Sequence, residues 1–203
     1  EFFFFFIHFD ITTETGCFKD REEITSHNVI EAYRSGNAAM ISDAPSEDAY
    51  LSFFQKQLRT CDEIIHITIS SGISHSYERA AAAAKHLKGK VFVLDSLHLS
   101  TGIGLLVLRA CELRDAGQTT QQIAEEITRL RSCVVTTFMV TNTEYLYRNQ
   151  KMSRFVNRLC SLFRFYPILE MKHGMIHLRS VRAGSIQYAR KHYVRSMHHQ
   201  EEL

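Results

Sequence analysis

The sequence predicts an α/β protein of two domains, with a mostly parallel sheet flanked by helices and a smaller α+β domain after it. Two short apolar runs, 64–69 and 91–95, have the length and the isoleucine and valine content of buried strands. A helix-forming segment follows each run, and strands that alternate with helices form parallel sheets with right-handed crossovers. The pattern changes after residue 140, so we expect an α/β domain at 1–140 and an incomplete α+β domain at 141–203.

The composition argues against several classes of protein. The chain has 203 residues, a net charge of +2 and a pI near 8.3, and its lysines and arginines are spread out, so no nucleic-acid partner is expected. Its five cysteines are far apart and form no C-x-x-C pair, which argues against a disulfide framework and structural zinc. We therefore expect a cytoplasmic protein without a cofactor or metal.

The first residues are strongly apolar. The phenylalanines at 2–6 begin a run that ends at Phe9. It is shorter than the roughly 20 residues of a membrane helix and lacks the basic start of a signal peptide, so it predicts a buried strand and no stable membrane insertion. A polar turn at 12–16 and a second arm at 17–20 make residues 1–20 a hairpin extension of the first domain. Because the chain starts inside this strand without methionine, we expect an element to be missing before it.

Capping signals place the remaining elements of the first domain. Ser46 is a favourable N-cap, and Thr119 with Gln122 forms a capping box. Residues 41–46 are predicted as a loop, and the apolar run 134–140 as a third strand of the parallel sheet. Helices are expected at 27–35, after Ser46, at 79–87, at 102–116 and after Thr119.

The second domain mixes helices with one hairpin. The hairpin has arms at 166–171 and 175–178, joined by a short turn at 172–174. A basic helical segment follows from Val181 onward. The expected elements before the hairpin are a short helix at 142–147, a loop at 149–153 and a helix at 154–163.

The stretch best suited to chemistry follows the first buried strand. Residues 70–77 contain four serines and one glycine and lead into an alanine-rich helix. The first N–H groups of a helix have no internal partner, and the helix dipole favours negative charge there. Ligands of parallel sheets bind at the carboxyl ends of the strands, so we expect the turn at Asp95 and Ser96 at the same edge.

Three interpretations of this serine-rich turn remain open on these residues. Small polar residues suit any strand-to-helix turn, and serine hydroxyls with helix amides also suit a carboxylate or phosphate. The third interpretation is catalytic, because 72–76 come near the G-x-S-x-G elbow of α/β-hydrolases, with Ser74 as nucleophile and Ser76 in place of the last glycine. The triad partners would come from Asp95 or Asp115 and from His173 or His177, but 11 histidines make that match a weak one.

Two further patterns favour structural roles. Gly102 and Gly104 lack the third glycine and the acid of a dinucleotide fingerprint, so close packing of the helix explains them. Three histidines near the end of the chain have metal-binding side chains, but they lie in a polar tail and a solvated face is the better interpretation: His192, His198 and His199.

Four segments together resemble motifs of the DegV family of fatty-acid-binding proteins. In chain order they are similar to the family's TSxPS, ISSxLSGTYxxA, DS…SxGxG and KPIL motifs, at 41–46, 69–77, 93–104 and 167–169. The two middle motifs and their spacing are the specific ones. The match extends over most of the chain, from Phe18 to Arg182.

The resemblance implies a two-domain EDD fold that holds one long-chain fatty acid between its domains without catalysis. Such proteins are thought to present the acyl carboxylate to a fatty acid kinase of the dihydroxyacetone-kinase-like type, which would be the partner here. Carried over residue by residue, the carboxylate site falls on Ser74, Ser42 and Ser76, with His75 adding charge. Further polar residues are expected around it: Ser70, Ser71, Asp95, Ser96 and Lys151.

The sequence also departs from the family pattern. The TSxPS threonine is replaced by Ile41, whose side chain cannot donate a hydrogen bond, and the SGT glycine is replaced by His75. The arginine of the family's GRIS loop is replaced by Lys151, whose ammonium group is a point charge and not a planar guanidinium with several donors. The opening strand is absent and the C-terminal segment is short, so the chain resembles a family member truncated at both ends. A degenerate member that binds nothing is therefore an alternative beside the Ser74 hydrolase. About a dozen buried CH₂ groups, at roughly 0.8 kcal/mol each, would nevertheless outweigh one imperfect head-group contact.

Overall fold

A computed structural model describes residues 4–35, 40–143 and 164–198 of the chain. The chain divides into two compact units: the first comprises Glu1–Val134 and His173–Met175, and the second Val135–Lys172 and Ile176–Leu203. Both units combine helices with strands, which confirms the predicted α/β class. Within the described ranges, no helix is long and apolar enough to cross a membrane.

Three short strands open the first unit. Strand β1 (Asp10–Thr13) pairs antiparallel with β2 (Gly16–Lys19) on one side and with β3 (Ile41–Asp43) on the other. A hairpin is present within residues 1–20 as predicted, but its first arm is Asp10–Thr13 and not the phenylalanine run, and its turn is shorter than the predicted 12–16. The prediction that 41–46 is a loop is wrong for its first three residues, because they pair with a strand far earlier in the chain and such pairing leaves no local signal.

The phenylalanine run is not the buried strand that its composition predicts. Residues 4–9 lie in no strand, and the side chains of Phe4, Phe5 and Phe6 are 49%, 41% and 73% exposed. Residues 1–3 lie outside the described ranges. A run that is apolar at every position has no period-two alternation to set a register or to choose a buried face. Strand pairing begins only at Asp10.

The central part of the first unit is a parallel pair of strands between helices. Its elements in chain order are α1 (Ser26–Arg34), α2 (Glu47–Gln57), β4 (Ile64–Thr68), α3 (Ser76–Lys85) and β5 (Val91–Asp95). Strands β4 and β5 pair parallel, from Ile64 opposite Val91 to Thr68 opposite Asp95. These helices and strands were all predicted, although α3 begins three residues earlier than 79. Ser46 caps α2 as expected, since its side chain accepts from the N–H of Ala49.

Two helices cover the other face of this strand pair. Helix α4 (Thr101–Asp115) and helix α5 (Thr120–Leu130) precede a 3₁₀ turn at Arg131–Cys133, and the predicted capping box at the start of α5 is present. Side chains alternate across β4. Ile65 and Ile67 pack on the cluster that α4 and α5 form, while Ile64 packs on the cluster of α2 and α3.

A histidine lies in the apolar layer between β4 and α2. The ring of His66 makes edge contacts with the rings of Tyr50 and Phe54, at centroid distances of 5.5 and 5.2 Å. Burial disfavours the charged imidazolium and lowers the pKa of His66 to about 4. The side chain is thus a neutral core residue at ordinary pH.

The second unit contains an antiparallel sheet and a helix. Strand β6 (Thr137–Met139) pairs antiparallel with β7 (Phe165–Lys172), and β7 is followed in the sheet by β8 (Met175–Ala183). The prediction that 134–140 forms a third parallel strand is therefore wrong. A short apolar run identifies a strand but carries no information about its partner, and β6 pairs with a strand later in the chain.

The predicted hairpin of the second unit is confirmed, with longer arms. The residues between β7 and β8, His173 and Gly174, both have positive φ, 50° and 77°, as in the two-residue turns that suit twisted hairpins. Strand β8 runs to Ala183, so the helix expected from Val181 begins later, as α6 (Ile186–His198). Residues 141–143 are not helical, and the elements expected between 144 and 163 lie outside the described ranges.

Candidate functional site

Two polar turns meet at one edge of the parallel strand pair. Strand β4 ends at Thr68, directly opposite the end of β5 at Asp95, so the segments that follow these strands leave from the same edge. The first is the serine-rich turn at 70–75, and the second is the turn at 96–100. This arrangement confirms the juxtaposition expected from parallel pairing.

Ser70 is fully buried and its hydroxyl is used within the fold. Its Oγ donates to the carbonyl of Gly174 at 2.7 Å and accepts from the N–H of Gly72 at 3.2 Å. The carbonyl of Ser70 accepts from the N–H of Ser74 at 3.1 Å, which closes the turn. The Ser70 side chain therefore shapes the turn and has no hydrogen left for a ligand.

The hairpin residue Gly174 lies directly against this turn. A Cβ added to Gly72 would lie 2.5 Å from the carbonyl oxygen of Gly174 and 2.7 Å from Sδ of Met175. A Cβ on Gly174, whose φ is +77°, would lie 2.9 Å from Oγ of Ser70. Gly72 is required because the backbone of Gly174 approaches it closely, and Gly174 is required because its φ is positive and Oγ of Ser70 lies against it.

Asp95 joins the two turns. Its carboxylate accepts from the N–H of Ser71 at 3.1 Å, from the hydroxyl of Ser71 at 2.5 Å and from the N–H of Leu97 at 3.0 Å. An ionised carboxylate is an acceptor only, and these three donors orient it inside the protein. Asp95 is therefore a brace for the serine-rich turn.

Ser96 is also used within the second turn. Its Oγ accepts from the N–H of His98 at 3.0 Å and donates to the carbonyl of His98 at 3.1 Å. Nη1 of Arg131 donates to the carbonyl of Asp95 at 2.7 Å, which fixes the end of β5. The predicted polar surroundings of the site thus consist of residues whose hydrogen bonds hold the two turns in place.

Ser74 and Ser76 differ from these residues because they lie where helix α3 begins. Oγ of Ser74 and Oγ of Ser76 are 2.9 Å apart, and the N–H of Ser76 donates to Oγ of Ser74 at 3.2 Å. Ser76 is 2% exposed, whereas Ser74 is partly open to solvent. The pair therefore presents one accessible hydroxyl, that of Ser74, supported by one buried hydroxyl.

The backbone N–H groups that follow Ser74 at the start of α3 are further hydrogen-bond donors. The first intrahelical bond of α3 is donated by the N–H of Arg79 to the carbonyl of His75 at 3.0 Å. Within the described part of the chain, the N–H groups of His75, Tyr77 and Glu78 have no carbonyl or side-chain partner. This helix end therefore offers donors and the positive end of a helix dipole, as an anion site requires.

Arg79 links this helix to the segment that carries Ser42. Its guanidinium donates from Nη1 and Nη2 to one oxygen of Asp43, both at 3.1 Å, and also to the carbonyls of Ala44 and Pro45. Ser42 directly precedes Asp43 and is exposed in the middle of β3. Arg79 thus holds the Ser42 segment against the first turn of α3.

The contact with Arg79 favours the ionised form of the Asp43 carboxyl group. Desolvation opposes ionisation, but the N–H of Ala44, the guanidinium of Arg79 and the nearby His75 together lower the pKa of Asp43 below its usual value. Asp43 is therefore ionised at neutral pH and balances the charge of Arg79. The positive helix end is left to attract a ligand anion.

The remaining predicted site residues have less defined roles. The imidazole of His75 is exposed and lies 3.4 Å from the carboxylate of Glu78. Lys151 lies outside the described residues. Ile41, which replaces the expected threonine, is 66% exposed.

The hydrolase interpretation gains no support from the geometry. Among the described residues, Ser74 bonds to Ser76 and to no histidine, and Asp95 bonds to Ser71 and Leu97 and to no histidine. A nucleophilic serine needs a base within hydrogen-bond reach, oriented by a third group. No group of three or more metal-ligating side chains is arranged around an ion site in the described ranges; the His198 side chain and His199 fall outside them.

Sequence reasoning missed two residues that shape the site: Arg79 and Gly174. Arg79 had a readable signal, because a cation in the first turn of a helix opposes the dipole and therefore suggests a specific partner. Gly174 had the weaker signal of its place in the predicted hairpin turn at 172–174.

The fold defines a class: α/β proteins in which a central parallel strand leads through a serine-rich turn into a helix. A model of the DegV family matches residues 4–194. The chain belongs to the DegV family, as the sequence motifs indicated.

Individual relatives support this assignment. A DegV domain-containing protein of Deinococcus radiodurans is 28% identical over 163 residues, which cover 80% of this chain and 58% of the relative. The chain therefore spans little more than half the length of that relative.

Solved structures agree with the family assignment. A DegV family protein from Thermus thermophilus, described as fatty-acid binding, matches with a TM-score of 0.80 and 26% identity over 95% of this chain and 68% of that one. The Streptococcus pneumoniae fatty acid kinase B3 protein loaded with linoleic acid shares the fold, with a TM-score of 0.74 and 22% identity over 94% of this chain and 69% of that one.

Proposed function

We propose that this protein binds a long-chain fatty acid and receives its carboxylate at the start of helix α3, between Ser74 and the segment of Ser42. The observation that carries the proposal is the set of donors there: the Ser74 hydroxyl and the N–H groups of His75, Tyr77 and Glu78, which lack partners within the described residues. A carboxylate needs two or three donors, and this helix end supplies them.

Family membership supports a fatty acid as the anion. The Thermus thermophilus relative is described as binding fatty acid, and its fold covers nearly the whole of this chain. Inorganic anions satisfy the same donors, but only an acyl chain adds roughly 0.8 kcal/mol for each CH₂ removed from water. Most of the affinity is therefore expected from the chain, and the orientation from the head group.

The exposure of the turn supports the finer proposal that the carboxylate is presented to a fatty acid kinase. Ser71, Gly72, His75 and Glu78 are exposed around Ser74, so a second protein can reach a head group bound there. The protein would act as a carrier, with acyl-phosphate formation catalysed by the kinase. Free thiols at Cys17, Cys61, Cys111 and Cys133 suit the reducing cytoplasm as the place of action.

The proposal is tested by titrating oleate into the protein with and without the Ser74→Ala substitution. We expect saturable binding of one oleate and an affinity roughly 10- to 150-fold lower in the variant, because a hydrogen bond to a charged group contributes about 1.5–3 kcal/mol. Isothermal titration calorimetry gives the affinity, and native mass spectrometry gives the stoichiometry.

Ser52→Ala is the matched control, because Ser52 is an exposed serine within helix α2. It should bind oleate like the unmodified protein. Absence of oleate binding by the unmodified protein would overturn the proposal. Equal binding by the Ser74→Ala variant would overturn the assignment of the head-group site.

A further inference from the structure

A polar cavity of about 210 Å³ lies within the second unit. Residues of helix α6 and of all three strands β6, β7 and β8 line it. Strand β8 contributes Arg179, Ser180 and Arg182, and no aspartate or glutamate of the described residues is among the lining side chains. The cavity therefore brings two guanidinium groups together without a carboxylate in its wall.

Arg182 contains a buried donor that has no partner. Its Nε atom is inaccessible to solvent and makes no hydrogen bond within the described part of the chain. The ion pair in this part of the sheet joins Glu170 to Arg179 and not to Arg182. Buried donors are normally hydrogen-bonded, and a guanidinium is always charged in proteins. The Arg182 side chain therefore lacks both an acceptor and a balancing negative charge among these residues.

The charge of Arg179 is only partly balanced by Glu170. Nη1 of Arg179 donates to Oε2 of Glu170 at 3.3 Å, which is long for a hydrogen bond between charged groups. The two side chains are 33% and 24% exposed, so solvent screens their attraction. Because two arginines face one glutamate, the surroundings of the cavity have a net positive charge.

Hydroxyl groups line the same cavity. Oγ1 of Thr137 and Oη of Tyr193 are hydrogen-bonded at 2.8 Å, and Oγ of Ser196 donates to the carbonyl of Tyr193 at 2.7 Å. The first of these bonds joins α6 to β6 and so holds the wall of the cavity in place. Ser180 is half-buried, and its hydroxyl has no hydrogen-bond partner among the described residues, so it is a further donor for a ligand.

The segment that contains the cavity is strongly basic. Between residues 164 and 198 the chain has seven lysines and arginines and one acidic residue, Glu170, although the net charge of the whole chain is only +2. A field of this sign attracts anions. A phosphate group carries about −1.5 to −2 charges at pH 7 and several acceptor oxygens, and arginine binds such oxygens with paired N–H groups.

We propose that this cavity is a binding site for a phosphate group, with Arg182 as its principal ligand and Arg179 and Ser180 beside it. Such a group belongs either to a soluble phosphate compound or to the head group of an acidic phospholipid, and the experiment distinguishes these two sources. The site lies in the second unit and uses no residue of the start of α3, so it does not depend on the proposed fatty-acid site.

A titration of the protein with inorganic phosphate, followed by NMR of ¹⁵N-labelled arginine side chains, tests the site. The Nε–H signal of Arg182, identified by its loss in Arg182→Lys, should shift and saturate. Sodium chloride at the same ionic strength should give no saturable shift. Arg182→Gln should lower the affinity for phosphate about 10-fold or more, because it removes hydrogen bonds between charged groups.

Arg195→Gln is the matched control. Arg195 is an exposed arginine of α6 that does not line the cavity, and its substitution removes the same charge from the same unit. Its affinity for phosphate should stay within about twofold of the unmodified value, since exposed charges at a distance are screened.

Vesicles of phosphatidylcholine with and without phosphatidic acid separate the two sources of the phosphate group. Sedimentation with the phosphatidic acid vesicles that Arg182→Gln abolishes supports the site and identifies a lipid head group. Binding of inorganic phosphate without sedimentation supports the site and identifies a soluble phosphate compound.

The proposal is overturned if neither inorganic phosphate nor the phosphatidic acid vesicles bind the unmodified protein. Equal losses of affinity in Arg182→Gln and Arg195→Gln also overturn it, because they show attraction by net charge alone. If Arg182→Gln does not fold by circular dichroism, Arg182→Lys replaces it, and a several-fold loss is expected because lysine lacks Nε and the planar fork. Arg182→Gln should bind oleate normally, so a failure of the fatty-acid proposal is seen separately, in the oleate titration.

Discussion

Substituting Gly72 with alanine should destabilise the first unit and distort the proposed carboxylate site. The added Cβ would lie 2.5 Å from the carbonyl oxygen of Gly174 and 2.7 Å from Sδ of Met175. Ordinary contacts of this kind lie at about 3.5–4.0 Å, so the turn must move by roughly 1 Å. The same carbonyl oxygen of Gly174 accepts the hydrogen bond from Ser70, so the movement disturbs that bond.

Overpacking of this size costs about 1–3 kcal/mol. For a chain of this length, that corresponds to a fall in Tm of roughly 2–12 °C. Thermal unfolding followed by circular dichroism measures the effect, and a calorimetric titration with oleate measures the distortion of the site. We expect both Tm and oleate affinity to fall.

Gly104→Ala is the matched control and should have the opposite effect. Gly104 lies in helix α4, and a Cβ there would meet nothing within 4 Å. Alanine in a helix interior is about 0.8–1.0 kcal/mol more favourable than glycine, so Tm should rise. The close approach of the two glycines is refuted if Gly72→Ala melts at or above the temperature of the unmodified protein.

Three other predictions test the site and its support. Since the folded pKa of His66 is about 4, below its ordinary value of 6.5, its contribution to stability is complete above pH 6.5 and is lost as the pH falls toward 4. Between pH 7.5 and 4.5 the free energy of unfolding, measured in urea, should therefore fall by about 2–3 kcal/mol more in the unmodified protein than in the His66→Leu variant. Equal decreases in the two proteins would contradict this. Arg79→Met should raise the pKa of Asp43, as measured by a carboxyl NMR titration, and should weaken oleate binding several-fold. The free energy of unfolding should change by less than about 1 kcal/mol, because the ion pair is partly exposed. Ile41→Thr should strengthen oleate binding about fivefold, by supplying one donor, with an unchanged Tm because Ile41 is 66% exposed; weaker binding would show that the carboxylate lies elsewhere.

Local signals in the sequence were sufficient for the helices and the parallel strand pair. The cap at Ser46, the capping box at Thr119 and the isoleucine run at 64–69 each act within a few residues, so the chain can be read for them directly. The same holds for the short hairpin turn predicted at 172–174, of which His173 and Gly174 lie between the strands. These elements place the serine-rich turn at the edge of the sheet.

Partners far apart in the sequence were not predictable in the same way. The segment 41–43 pairs with β1, and β6 pairs with β7, although neither run contains a sign of its partner. The run of phenylalanines shows that a clear local signal can also mislead. High apolar content suggested burial, but without alternation it defines no register, and Phe6 is 73% exposed.

At the site too, features set by neighbouring residues could be predicted, and features set by distant residues could not. Ser74 and Ser76 were found from the motif and from their position before a helix. The roles of Asp95 as a brace and of Arg79 as a link depend on residues more than 20 positions away, Ser71 for the first and Asp43 for the second. Only coordinates show that the hydroxyls of Ser70, Ser71 and Ser96 are used within the fold while Ser74 remains accessible.

The most direct measurement of the central claim is an amide NMR titration of the protein with oleate. We expect saturable shifts of the His75, Tyr77 and Glu78 amides, together with a shift of the ¹³C-labelled carboxylate of the ligand. The amides at the capped start of helix α5 should stay in place, because the side chain of Thr119 already accepts from that helix end. Binding of oleate with no change at the start of α3 would contradict the account.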